Sequence, residues 1–203
     1  MSLDQWVVLK FGGTSVSSLE YWSRIKEVCE KHLADKKTKV IVVCSALSGV
    51  SNKLSALIDL SLKDKHHEAL EQILKIHKDF AGFLGIKDSL NLLKNEFEDL
   101  KNLTLGLSLL KVYNANSAAR VMALGELMLT RLAHNWLETQ GMDLKLLDMR
   151  KFLVTEGNDG CDNDKKNYLS AVCLSGVDKK FSASISAEGG SFFLTQGFIA
   201  SNK

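Results

Sequence analysis

Two kinds of apolar pattern alternate along the first fifty residues. Trp6-Val7-Val8-Leu9 and Val40-Ile41-Val42-Val43 are short, continuous and rich in β-branched side chains, the pattern of strands buried on both faces. Between them Leu19, Trp22, Ile25, Val28, Cys29 and Leu33 recur mostly at three- and four-residue steps, which predicts a helix over residues 19–34. Strand, helix and strand in that order predict a βαβ unit with interior parallel strands. Residues 53–111 read as two or three helices with charged faces, broken near 82–85 and again near 103–106. Within them Ile86, Leu90, Leu93 and Phe97 form an apolar stripe. Residues 116–140 predict a long helix stopped by Gly141. Leu144-Lys145-Leu146-Leu147 predicts a third strand, and residues 191–200, with Phe192-Phe193-Leu194, another. Residues 155–167 are polar and predict a loop, and 168–174 fit either helix or strand.

The candidate chemistry sits where these elements end. The first strand runs into Lys10-Phe11-Gly12-Gly13-Thr14-Ser15. Two glycines permit a sharp turn and a close backbone approach. A strand, a glycine turn and a helix start make an anion site, to which Lys10 adds a full charge. Ser17 or Ser18 is placed to cap the helix. An ordinary βα turn with a surface lysine satisfies the same pattern. The string is neither a Walker A loop nor the dinucleotide fingerprint. The second strand ends in Ser45-Ala46-Leu47-Ser48-Gly49-Val50-Ser51, at the carboxyl edge where open α/β sheets bind ligands. There Ser48 or Ser51 is placed to cap the next helix.

Glu126 stands apart. No other acidic residue lies between Asp99 and Glu138, and its neighbours at three and four residues are Met122, Ala123, Leu129 and Thr130. This puts a carboxylate on an inward, apolar face, where it is costly unless a cation meets it. An internal salt bridge and a cationic ligand group, such as an amine, both satisfy that need. Gly125 beside it predicts a close approach.

Composition narrows the class. A net charge of +2, with basic residues spread along the chain, gives no support for a nucleic-acid face. No apolar run approaches the roughly 18 residues of a membrane span, and no signal peptide is evident. Cys29, Cys44, Cys161 and Cys173 include no Cys-x-x-Cys pair; Cys29 and Cys44 fall in apolar helix and strand patterns and are expected as buried free thiols, in a cytoplasmic protein. His66-His67 is expected on a solvated helix face.

Three blocks together resemble the aspartate kinases of the amino acid kinase family. They are residues 10–16, the run Ser-Ala-Leu-Ser-Gly-Val-Ser-Asn-Lys-Leu over 45–54, and Gly125-Glu126-Leu127. Asp148-Met149-Arg150 and Gln196-Gly197-Phe198-Ile199 agree more weakly. The resemblance implies an α/β fold, a three-layer α/β/α sandwich with a mainly parallel sheet. It implies transfer of the ATP γ-phosphoryl group, with Mg2+ bound through the nucleotide, to the side-chain carboxylate of L-aspartate. In that reading Lys10 is catalytic and, with Gly12, Gly13, Thr14 and Ser15, binds phosphate. Ser45 and Ser51 hold aspartate, Ser51 standing where the family usually has threonine, and Glu126 meets its α-amino group.

The family's Gly-Arg-Gly-Gly-Ser-Asp motif, expected soon after Ile199, does not occur. The expectation is therefore an aspartate-binding, N-terminal part of a kinase domain over 1–203, with a helical insertion at about 53–111. It is expected to precede the nucleotide-binding half, to turn over little alone and to belong to a homo-oligomer when full length. A glutamate or acetylglutamate kinase, a non-catalytic nucleotide-binding module and a purely structural fragment are the alternatives.

Overall fold

The computed structural model describes residues 5–155, 168–169 and 179–202. Its centre is a four-stranded parallel sheet in the order β1-β2-β5-β3, formed by β1 (Gln5–Phe11), β2 (Thr38–Cys44), β5 (Phe192–Gln196) and β3 (Lys145–Leu147). A two-stranded parallel ladder joins β4 (Val154–Thr155) to β6 (Ser201–Asn202), a pairing the local pattern does not announce. Among the described residues the α-helices are α1 (Leu19–Leu33), α2 (Val50–Ser61), α3 (His67–Phe83), α4 (Ser89–Leu92), α5 (Lys94–Leu110), α6 (Ala115–Thr139) and α7 (Lys179–Glu188).

Helices lie on both faces of the sheet, so the expected α/β/α layering holds. On one face Val40, Val42, Phe192 and Leu194 pack against Trp22 and Cys29 of α1, Leu54 of α2, and Met128 and Leu132 of α6. Trp22 of α1 meets Trp136 of α6 edge to face, with ring centroids 6.4 Å apart. On the other face Phe193 and Leu147 pack against Ile185 of α7. Alternation along a strand sends neighbouring side chains to opposite faces. β2 obeys it, burying Thr38, Val40, Val42 and Cys44 fully and Ile41 and Val43 partly.

Helix ends follow local chemistry where it is strong. The Ser18 hydroxyl accepts the Tyr21 N–H at the start of α1. Asn114 and Ser117 form a reciprocal capping box at the start of α6. Gly141, at φ +80°, ends α6 while the Met142 N–H reaches back to the Leu137 carbonyl.

Three expectations are corrected here. No break occurs at 103–106, because α5 runs through Gly106. Leu100, Thr104 and Leu107 are buried on one face, and that packing outweighs the ~1 kcal/mol cost of one helical glycine. A break does occur after Ser61, where Asp64 adopts φ +55°. Its carboxylate accepts from the Ser108 hydroxyl and the Lys111 ammonium, at the far end of α5. His66 is not solvated but 4% exposed, its ring tilted 32° to that of His67 with centroids 4.3 Å apart. Cys29 and Cys44 are buried free thiols, as expected. Burial pushes the Cys29 thiol up to about 12, and the Cys44 thiol is raised by the same cause. Cys161, Cys173 and the undecided segment beyond Leu169 lie outside the described residues.

Candidate functional site

The carboxyl ends of β1 and β2 lie side by side, since Lys10 pairs with Val43 and Phe11 with Cys44. The two loops leaving them are stitched together. Gly13 enters a one-turn 3-10 helix, Gly13–Val16, ahead of α1. The glycine turn therefore does not open directly into α1, whose first residue is Leu19. The indole N–H of Trp22 donates to the Val16 carbonyl at 2.9 Å and holds this turn on the core. The Ser17 hydroxyl donates to the Gly13 carbonyl at 2.5 Å and accepts the Ser48 N–H at 3.0 Å. A Cβ on Gly13 would stand 2.9 Å from the Ala46 carbonyl oxygen, so only glycine lets the loops approach this closely. The role of Ser17 as a cross-loop bridge was not anticipated; its partner is 31 residues away.

Gly49 begins α2 at φ +79°, with no side-chain cap. The expected capping by Ser48 or Ser51 is thus not what starts this helix. Ser51 lies in the first turn and lines the cleft.

Glu126 reaches the same place from α6. A Cβ on Gly125 would meet Ala46 Cβ at 2.9 Å, Leu54 Cδ1 at 3.1 Å and Val50 Cγ1 at 3.3 Å. Gly125 therefore serves the approach of α6 to α2 and to the β2 loop, which brings Glu126 against Ala46. Glu126 is 7% exposed. Burial raises its carboxyl above the ordinary range, partly opposed by its own backbone N–H and that of Ala46. No cation among the described residues pairs with it, so an internal salt bridge does not explain its position there.

These elements enclose a cleft of about 550 Å³ lined by Gly13, Thr14, Ser45, Ser51, Glu126 and Phe198, among others. Lys10, Gly12 and Ser15 do not line it. The Lys10 ammonium instead sits over the Phe198 ring, 5.2 Å from its centroid. Phe198 is 83% exposed and adopts φ +61°, an uncommon backbone state for an aromatic residue. It joins the rim of the cleft to the lysine. The strained backbone is invisible in the sequence, although the position of Phe198 just past a strand end could have flagged it. Behind the cleft Asp148 accepts from Arg150 through two guanidinium bonds of 2.9 and 2.7 Å. The arginine holds that carboxyl below its usual range.

The arrangement offers backbone N–H groups and hydroxyls on two loops, a buried carboxyl that no cation of the described residues pairs with, and a lysine over Phe198 at the rim. It suits a small ligand carrying both an ammonium and anionic groups.

Known proteins share this architecture. The sequence profile of the amino acid kinase family matches residues 5–198. The aspartokinase of Chlamydia trachomatis is 28% identical over 196 residues, 95% of this chain and 40% of that protein. The bifunctional aspartokinase/homoserine dehydrogenase of Buchnera aphidicola is 26% identical over 206 residues, 97% of this chain and 24% of that protein. The crystal structure of Escherichia coli aspartokinase III in complex with aspartate and ADP (R-state) matches with a TM-score of 0.75 and 25% identity. That match covers 98% of this chain and 42% of that one. The chain thus spans less than half the length of these relatives. It belongs to the amino acid kinase family, and within that family it is similar to the aspartokinases.

Proposed function

We propose that residues 1–203 form the amino-acid-binding part of an aspartate kinase. The parent reaction transfers the γ-phosphoryl group of ATP to the side-chain carboxylate of L-aspartate, giving 4-phospho-L-aspartate and ADP, a first step towards lysine, threonine and methionine. The observation that carries this reading is the buried Glu126 carboxylate, which faces the hydroxyl-rich loop of β2 with no cation of the described chain beside it. An α-ammonium supplies that cation. Ser45 and Ser51 hold the rest of the amino acid, and the second carboxylate points towards the β1 loop. Gly12 and Gly13 offer N–H groups to the phosphates, with the Thr14 and Ser15 hydroxyls beside them. Lys10 stabilises the charge that develops during transfer.

Phosphoryl transfer needs positioning and charge stabilisation more than covalent help, and these residue types provide both. Mg2+ comes bound to the nucleotide in this reading. No helix among the described residues is long and apolar enough to cross a membrane. The free thiols Cys29 and Cys44 suit a reducing compartment such as the cytoplasm.

Backbone amide shifts under titration test the reading. L-Aspartate is expected to move the resonances of 45–51 and 123–127, and ADP those of 10–15. Shifts confined elsewhere, or equal effects of L-glutamate and L-aspartate, refute it. Trapping of the acyl phosphate with hydroxylamine is expected to give little or no product from these 203 residues alone; turnover at a normal kinase rate would contradict that part.

A further inference from the structure

A buried polar chain runs from the end of β5 to the backbone carbonyl of Glu126 and does not involve its carboxylate. Gln196, the last residue of β5, is 3% exposed, and Thr130, one turn beyond Glu126 on α6, is fully buried. The Gln196 carboxamide donates to the Thr130 hydroxyl at 2.9 Å and accepts the Met149 N–H at 3.0 Å. The Thr130 hydroxyl donates to the Glu126 carbonyl at 2.8 Å. The orientation of the amide follows from its partners. The Met149 N–H can only donate, so the amide oxygen must face it. The NH2 group then faces Thr130, whose own hydrogen goes to the carbonyls of the preceding turn, Glu126 at 2.8 Å and Leu127 at 3.3 Å. β5 is in turn fixed to the end of β2, because Gln196 pairs with Cys44 and the Gly197 N–H donates to the Cys44 carbonyl at 2.8 Å. One side chain thus joins the strand end that leads to Phe198, the helical turn that carries Glu126, and the turn after β3.

We infer that Gln196 is a positioning residue for Glu126, setting through Thr130 the turn of α6 that carries the carboxylate against the ends of β2 and β5. The inference rests on the reading that Glu126 receives the ammonium of aspartate. A glutamine needed only to fill and satisfy the core would leave Glu126 unaffected when the chain of hydrogen bonds is cut without loss of folding. Thr130→Val cuts it with almost no change of shape, and Thr130→Ser restores the hydroxyl.

The test uses the 203-residue chain and the variants Gln196→Leu, Thr130→Val, Thr130→Ser and the double variant Gln196→Leu/Thr130→Val. L-Aspartate affinity is measured by calorimetry, the Glu126 carboxyl titration by carbon NMR, and folding by thermal melts. Gln196→Leu and Thr130→Val are each expected to weaken aspartate about tenfold, the loss of one buried hydrogen bond. Both are expected to move the Glu126 midpoint towards that of an ordinary glutamate. Thr130→Ser keeps both properties, and the double variant is no weaker than either single one. Wild-type affinity with an unmoved Glu126 titration in folded Thr130→Val overturns the inference, as does Thr130→Ser behaving like Thr130→Val. If Gln196→Leu does not fold, the Thr130 pair decides. If the wild-type chain binds no aspartate, the functional reading fails. The Glu126 titration then decides positioning by itself, a shift in Thr130→Val supporting it and no shift overturning it.

Discussion

Glu126 carries a burial cost and, in the proposed function, a use. Its burial favours the neutral acid, so its folded-state titration lies above the ordinary value of 4.5. With respect to this group the ligand-free fold is most stable at low pH. That contribution is lost as pH rises from 4.5 through the raised value. An ammonium ligand reverses the preference, because it pairs with the carboxylate. Aspartate affinity is therefore expected to rise with pH across the same range and then level off, which titrations between pH 4.5 and 8 would check. Glu126→Gln keeps the shape and removes the buried charge. It is expected to be as stable as wild type or more so at neutral pH by urea melts, while losing aspartate binding. Gly13 is the other residue whose identity is forced. Gly13→Ala drives a methyl into the Ala46 carbonyl oxygen at 2.9 Å, backbone that cannot swing aside. A loss of about 1–3 kcal/mol in urea melts is expected, with separation of the two loops.

At the scale of elements, the geometry of the cleft depends on how closely α6 approaches α2. Gly125→Ala gains ~1 kcal/mol of helix propensity and incurs ~1–3 kcal/mol of overpacking against Ala46, Leu54 and Val50. Net destabilisation is expected in melts, with α6 displaced from the β2 loop and weaker aspartate binding. Elements whose signals are local were readable in the sequence. Continuous β-branched runs located β1 and β2, and helical periodicity with Gly141 bounded α6. The break after Ser61 was not readable, because Asp64 is held by Ser108 and Lys111, 44 and 47 residues away. The continuity of α5 through Gly106 was missed for the converse reason: burial by distant helices overrode a local breaker. The same applies at the site. Lys10, the glycine pair and Glu126 stood out by residue type and position, and Ser45 and Ser51 through the family resemblance, although Lys10 and Gly12 do not line the cleft. Ser17, Phe198 and Gln196 act through tertiary partners or an unusual backbone, which spacing does not encode.

At the scale of the whole molecule, α3 carries another buried titratable group, His77. His77 is fully buried, its Nδ1 2.8 Å from the Ile73 carbonyl, and burial pulls its titration down from 6.5 to about 4. The folded chain thus keeps His77 neutral where the unfolded chain binds a proton. Stability is full above pH 6.5 and falls as pH drops towards 4, by up to about 3 kcal/mol. The stability difference between wild type and His77→Leu, from denaturant melts at pH 7, 5 and 4, should show this slope, separated from the opposite contribution of Glu126.

The central claim is that the cleft between the β1 and β2 loops and α6 takes L-aspartate by its ammonium. The measurement that tests it most directly is calorimetric titration of the chain with L-aspartate, in wild type and in Glu126→Gln, with L-glutamate as control. Aspartate-selective binding in wild type that disappears in a fully folded Glu126→Gln is the expected result. Absence of binding, equal binding of both amino acids, or unchanged affinity in Glu126→Gln would contradict it.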